Sequence, residues 1–188
     1  MKYKAIVMGA SAGGFEALCR ILPRLPRRYA LPMVIVQHRR FDGGCLLEHI
    51  LDFRCMISVK QAGDKDLLCA SNAYFAPPNY HLMIEDKRTL ALSTGPPVCN
   101  CRPSIDVLFE SAADIFGDQL IGVVLTGANT DGCNGAQRLK QCGGLLIVQD
   151  PSTASASTMP AAVLQRTTAE HILALDAISD LLLQLQSV

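Results

Sequence analysis

The strongest constraint on this chain is a rhythm. Continuous apolar runs of strand length alternate with stretches whose apolar residues recur at helical spacing. "YKAIVM", "LPMVIVQH", "NAYFAP", "LIGVVLTG", "GLLIVQD" and "HILAL" read as strands. "FEALCRILPRL", broken near Pro23, "CLLEHILDF", "SIDVLFESAADIFG" with Gly117 as its stop, "GAQRLKQCGG", "MPAAVLQRT" and "DAISDLLLQLQSV" read as helices, the last with Asp176 as its N-cap. The strands are continuous rather than alternating, so both faces of their sheet must be covered. The pattern therefore predicts an α/β fold, a doubly wound and mostly parallel sheet with helices on both faces. "YHLMIEDKRTLALS" adds one antiparallel hairpin that turns at Asp86–Lys87. Segments 93–103 and 150–158 read as loops, and the second is polar and placed to lie over a site.

Length and composition narrow the partners. At 188 residues the chain suits one domain, 1–188. Lys+Arg and Asp+Glu both total 17, so no net charge draws it to nucleic acid or to an anionic membrane. No run of about 18 apolar residues exists, so membrane insertion is not expected. "MKYKAIVMGAS" reads as the first core strand rather than an export signal, which points to the cytoplasm. The eight cysteines are scattered without a CxxC, which fits reduced thiols better than a disulfide framework. "CNC" at 99–101 lacks a second ligand pair at zinc spacing, so neither metal nor cofactor is expected.

Open parallel sheets place their sites beyond the C-terminal ends of the strands. Three polar residues follow apolar runs in that way: Ser11 in "GASAGG", His38 in "VIVQH", and Asp131 in "TGANTDG". Together they form the residue set of acyl transfer. The serine attacks, the histidine takes its proton, and the carboxylate fixes the histidine's tautomer. Other readings stay open on the residues alone. Ser11 is also a good helix N-cap, Asp131–Gly132 is a turn signal, and His38 suits a satisfied strand end. Gly9 and Gly14 fit a dinucleotide fingerprint, but Ser11 replaces its middle glycine. Arg39 and Arg40 would suit a 2′-phosphate there, which keeps an NADP-binding protein as an alternative. The same arginines also fit a solvated edge, or a steering patch for acidic receptor helices. His49, His81 and His171 sit in ordinary patterns and are assigned no chemistry.

At these motifs the sequence resembles the catalytic domain of the CheB family, the chemotaxis receptor glutamate methylesterases. "GASAGG" resembles the family's serine loop, "VIVQH" its histidine strand, and "GVVLTGANTDGCNGAQRLKQCGG" its aspartate strand and loop. "RPSIDVLFESAADIFG" and "IVQDPSTASASTMPAAVL" resemble the stretches before and after that strand. The resemblance runs over about residues 3 to 185 with the motifs in order. It implies hydrolysis of γ-glutamyl methyl esters on receptor cytoplasmic helices, and deamidation of certain glutamines there. It implies Ser11 as nucleophile, His38 as base and Asp131 as orienting carboxylate. Backbone N–H groups of His38 and Ala128 would hold the oxyanion, and Ala12 and Arg102 would shape the substrate surface. Several positions depart from the family pattern. Ala12 stands for its threonine, Ala128 for the methionine of "TGMG", Arg39–Arg40 for Met-Pro, and "STMP" for its "GMP" context. These departures leave a catalytically silent signalling module as a second alternative. The chain begins at the first strand of the catalytic domain, so the expected partners are a methylated chemoreceptor and a separate response-regulator receiver.

Overall fold

The structure, a computed structural model, describes residues 2–38 and 46–186, so Arg39, Arg40 and Cys45 lie outside the described residues. The sheet contains β1 (Ala5–Ala10), β2 (Met33–Gln37), β3 (Ser58–Gln61), β4 (Asn72–Phe75) and, later in the chain, β7 (Leu120–Val124), and the candidate site residues follow β1, β2 and β7. With β8 (Leu145–Gln149) and β9 (His171–Leu173) they form a seven-stranded sheet in the order β3-β4-β2-β1-β7-β8-β9. Every pairing in it is parallel. The expected hairpin is separate: β5 (His81–Ile84) and β6 (Leu90–Ser93) pair antiparallel, and Asp86 Oδ1 accepts from Arg88 and Thr89 N–H at its turn.

Side chains of β1 alternate across the sheet as a strand requires. Ile6, Met8 and Ala10 enter the core under α1 (Gly14–Ile21), α2 (Leu46–Arg54) and α6 (Leu175–Leu185). Ala5 and Val7 enter the opposite core, under α3 (Ile105–Phe116), α4 (Cys133–Gln141), α5 (Thr158–Arg166) and the hairpin. Both faces are therefore covered, as the continuous apolar strands demand. Among the described residues, no helix is long and apolar enough to cross a membrane.

One strand lies outside the sequence reading, and one local expectation needs correction. β3 carries no apolar run; only Val59 of its four residues is buried, because it is an edge strand facing water on one side. Nothing in its composition separates it from a loop. Asp176 is not the N-cap of α6. The cap is Ala174, without a side-chain bond, and Asp176 lies in the first turn. Its carboxylate instead meets Arg20 at 2.7 Å, while Arg24 reaches Asp180 at 2.6 Å, so the charges tie α6 to α1 and to the 3-10 turn (Leu22–Arg24) that follows it.

The winding direction reverses at β1. From there the chain steps outward on one side through β2, then returns to add β7 on the other. Such a switch point leaves a crevice at the strand ends, where α/β proteins bind their ligands. Gly9 sets its depth. A Cβ there would sit 2.5 Å from Ile105 Cγ2, so glycine lets the first turn of α3 press onto β1. Gly9→Ala is expected to lower stability by about 1–3 kcal/mol through overpacking. A lower urea midpoint at unchanged m-value is the readout.

Candidate active site

The β1–α1 turn is built to hold one serine at the crevice. Ser11 N–H donates to Thr126 O at 2.9 Å, and Ser11 O accepts from Gly14 N–H at 2.9 Å. Gly13 takes φ 77°, a left-handed conformation that L side chains rarely adopt, and so redirects the chain into α1. Gln37 Nε2 bridges the two loops, donating to Ser11 O at 2.8 Å and His38 O at 2.9 Å. Thr126 Oγ1 donates to Ala12 O at 2.8 Å and accepts from Ala156 N–H at 2.9 Å. Thr126 thereby links the 150–158 segment to the serine turn. The Ser11 hydroxyl itself makes no hydrogen bond among the described residues.

His38 leaves the end of β2 beside this turn, since Ala10 and Gln37 are register partners. Its Nε2 lies 2.9 Å from Asp131 Oδ2. Asp131 is fully buried in the loop between β7 and α4. Its carboxylate also accepts from Ser104 Oγ–H at 2.8 Å, Ile105 N–H at 2.6 Å and Asp106 N–H at 3.0 Å. Thus Asp131 faces the positive N-terminal end of α3. Burial pushes its carboxyl up, but the hydrogen bonds from His38, Ile105, Asp106 and Ser104 outweigh it and hold the group below its usual range. Ionised, it accepts the Nε2–H of a neutral His38 and leaves Nδ1 as the basic nitrogen.

The two helices exchange carboxylates. Asp106, from the first turn of α3, accepts from Gly135 N–H at 2.7 Å and Asn134 Nδ2 at 3.2 Å, at the start of α4. Burial first, and then the nearby Asp131 charge, push the Asp106 carboxyl up against the backbone bonds that lower it. Behind Ser104 stands His81. Its Nδ1 accepts from Ser104 N–H at 3.2 Å, and its Nε2 pairs with Pro96 O at 3.0 Å.

The structure brings His38 and Asp131 into direct contact. It sets Ser11 on the neighbouring strand end without a Ser11–His38 hydrogen bond. The nitrogen that would take the serine proton instead faces Asn129, whose Nδ2 is 3.1 Å from His38 Nδ1. Of the two expected oxyanion donors, His38 N–H is taken up by Ala10 O at 2.9 Å, an extension of the β1–β2 ladder. The N–H groups of Ala128 and Ala12 make no hydrogen bond among the described residues, and both residues are exposed at the rim. Arg102 Nη1 donates to Thr94 O at 3.0 Å and Gly95 O at 3.1 Å, so it ties down the 93–103 loop. Ser104, Gln37, Thr126 and Asn129 are site residues that the sequence pattern does not single out. Only Ser104 carries a usable signal, a serine directly before a helical pattern.

Two groups come near metal-ligand spacing. His38, Cys101 and Asp131 have donor atoms within 4.8 Å of one another, and so do Cys99, Asp106 and Asp131. Both Asp131 oxygens already accept two hydrogen bonds each. Burial, and then the charges of Asp131, Cys99 and Asp106, push the Cys101 thiol up to about 11, so it keeps its proton at neutral pH. Metals take thiolates and open carboxylates, and this donor set is engaged in hydrogen bonding instead.

Known proteins match this chain over nearly its whole length. The family model described as CheB methylesterase matches residues 6–182. A Leptospira interrogans protein, named provisionally as a protein-glutamate methylesterase/protein-glutamine glutaminase, is 46% identical over 187 residues, covering 98% of this chain and 96% of its own. The protein-glutamate methylesterase/protein-glutamine glutaminase of Trichodesmium erythraeum is 34% identical over 96% of this chain, which spans 52% of that relative. The crystal structure of the Thermotoga maritima CheB methylesterase catalytic domain superposes with a TM-score of 0.93 at 32% identity, covering 97% of this chain and 98% of that one. The serine turn, the histidine strand end and the aspartate loop all fall inside the matched residues, and the chain belongs to the CheB methylesterase family.

Proposed function

We propose that residues 1–188 act as one catalytic domain that hydrolyses γ-glutamyl methyl esters on the cytoplasmic helices of a chemoreceptor. The observation that carries this is the buried Asp131 carboxylate on His38 Nε2 at 2.9 Å, beside the serine turn. In this reading Ser11 Oγ attacks the ester carbonyl carbon while its proton passes to His38 Nδ1. The C–O bond to the methoxy group then breaks, and methanol leaves with that proton. Water enters along the same route and frees the glutamate. A glutamine side chain would take the same course with ammonia as leaving group. The developing oxyanion lies toward the N–H groups of Ala128 and Ala12, the latter directly after the nucleophile. The substitution of Ala128 for methionine costs no donor, because every non-proline residue has an N–H. Arg102 supports the substrate rim through the loop it holds. The partners in this reading are methylated receptor helices in the cytoplasm and a receiver-type regulator. Neither the silent module nor the NADP-binding protein is favoured by the family assignment.

The test uses the intact chain. A fluorophosphonate probe is expected to label Ser11, mapped by peptide mass, and methyl-labelled receptor membranes are expected to release methanol. Labelling at any other residue would overturn the assignment. So would methyl groups that stay intact after prolonged incubation with protein that does label at Ser11.

A further inference from the structure

With Nε2 given to Asp131, His38 has one nitrogen left for the Ser11 proton, and that nitrogen is not open. Asn129 Nδ2 lies 3.1 Å from Nδ1. The orientation of the amide is fixed from behind. Asp131 N–H needs an acceptor and finds Asn129 Oδ1 at 3.3 Å, which turns the NH₂ end toward the ring. The second N–H of that amide reaches Cys101 Sγ at 3.6 Å. Cys101 closes a tight turn in which Val98 and Cys101 exchange backbone bonds at 3.1 and 2.8 Å. At its corner Cys99 and Asn100 have φ 50° and 60°. The Cys101 thiol donates to Cys99 O at 3.4 Å, so its sulfur accepts from Asn129 and, though only 4.0 Å from the same Nδ1, has no proton left for the ring; Asn129 makes the shorter contact with that nitrogen. Both polar atoms of the Asn129 side chain are thereby engaged, while the Ser11 hydroxyl has no partner among the described residues.

The geometry points to Asn129 as a latch on the catalytic base. It is a positioning residue that occupies the proton-accepting nitrogen in the resting protein and has to give it up before Ser11 is deprotonated. The inference rests on the reading of Ser11 as nucleophile. Its logic is donor against donor. A neutral Nδ1 accepts one hydrogen bond, from Asn129 or from Ser11. Once the Ser11 proton has moved to Nδ1, that N–H would point at the Asn129 N–H, and two donors repel. The amide must therefore swing aside before attack and stay aside until methanol carries the proton away.

Two variants test it. Asn129→Ala removes the amide, and Asn129→Ser removes the NH₂ group that reaches the ring while keeping a shorter side-chain oxygen to accept from the Asp131 N–H. Both are expected to react with a fluorophosphonate at Ser11 about two- to tenfold faster than wild type, the equivalent of one ordinary hydrogen bond. The ¹⁵N resonance of His38 Nδ1, assigned by its loss in His38→Gln, is expected to move in both. Thermal unfolding establishes that each variant is folded. Labelling that is unchanged or slower in folded variants overturns the latch, and so does a stationary Nδ1 resonance. If no chain, wild type included, reacts at Ser11, the nucleophile reading falls. The nitrogen resonance then decides the Asn129 contact by itself.

Discussion

Asp131→Ala is expected to cost about 3 kcal/mol of stability or more, since each buried donor left without its acceptor costs about 1–3 kcal/mol. The reason is the number of groups that lose their acceptor together. His38 Nε2, Ser104 Oγ, and the Ile105 and Asp106 amides all converge on this carboxylate. Two of them are orphan N–H groups of α3, which no other group in the first turn can satisfy. Asp131→Asn separates the structural from the chemical part. Its amide oxygen still serves two of those donors, but its NH₂ group must face another donor. Where that donor is His38, the ring is forced into the tautomer that cannot accept from serine. A loss of about 10⁴-fold in kcat results, with the fold retained. Urea denaturation and methanol release measure the two effects. The acid limb of stability provides an independent check. A carboxyl held below its unfolded value contributes stability above that value, near pH 4, and loses it as the pH falls through the folded value. Wild type should therefore lose stability faster than Asp131→Asn below about pH 4. Parallel acid limbs would mean that the carboxylate is not held by these donors.

The sheet is legible because its strands announce themselves. Five central strands, β1, β2, β4, β7 and β8, are buried over nearly their whole length, and burial on both faces leaves short apolar runs whose length and flanking turn residues mark them as strands. β3 is not legible for the opposite reason, as an edge strand with one buried residue in four. Candidate site residues at strand ends can be found by looking for the polar residue that succeeds each apolar run, which is how Ser11, His38 and Asp131 emerge. Their surroundings cannot be found that way. Ile105 contributes a backbone N–H, which no side chain advertises. The cap exchange between α3 and α4 pairs Asp131 with residues about 25 positions away, and Asp106 with Gly135 at 29. The contacts of His81 with Ser104 and of Asn129 with His38 exist only once distant segments have folded together. The family resemblance assigns the His38 N–H to the oxyanion, and the register of β1 on β2 gives it to Ala10 instead. A motif specifies which residues meet, whereas the ladder decides which backbone donors remain open.

Ser11→Ala is expected to abolish methyl release while leaving the fold intact. The two halves of that expectation have separate physical grounds. The hydroxyl makes no hydrogen bond among the described residues, and the turn is held by the backbone of Ser11 through Thr126 O, Gly14 N–H and Gln37 Nε2. Removing the oxygen should therefore change stability by no more than about 0.5 kcal/mol, the range of substitutions that break no buried contact. Without the oxygen there is no acyl intermediate, and the rate should fall by about 10⁶-fold, toward what backbone donors and binding alone provide. The decisive comparison is the double variant Ser11→Ala with His38→Ala. Groups that move one proton between them act as a unit, so the second substitution should cost almost nothing once the first is made. Were the losses instead to multiply, with each variant reducing the rate independently, His38 would be serving some task other than taking the serine's proton. The Asp131 contact would then be no more than a buried histidine satisfied by a carboxylate.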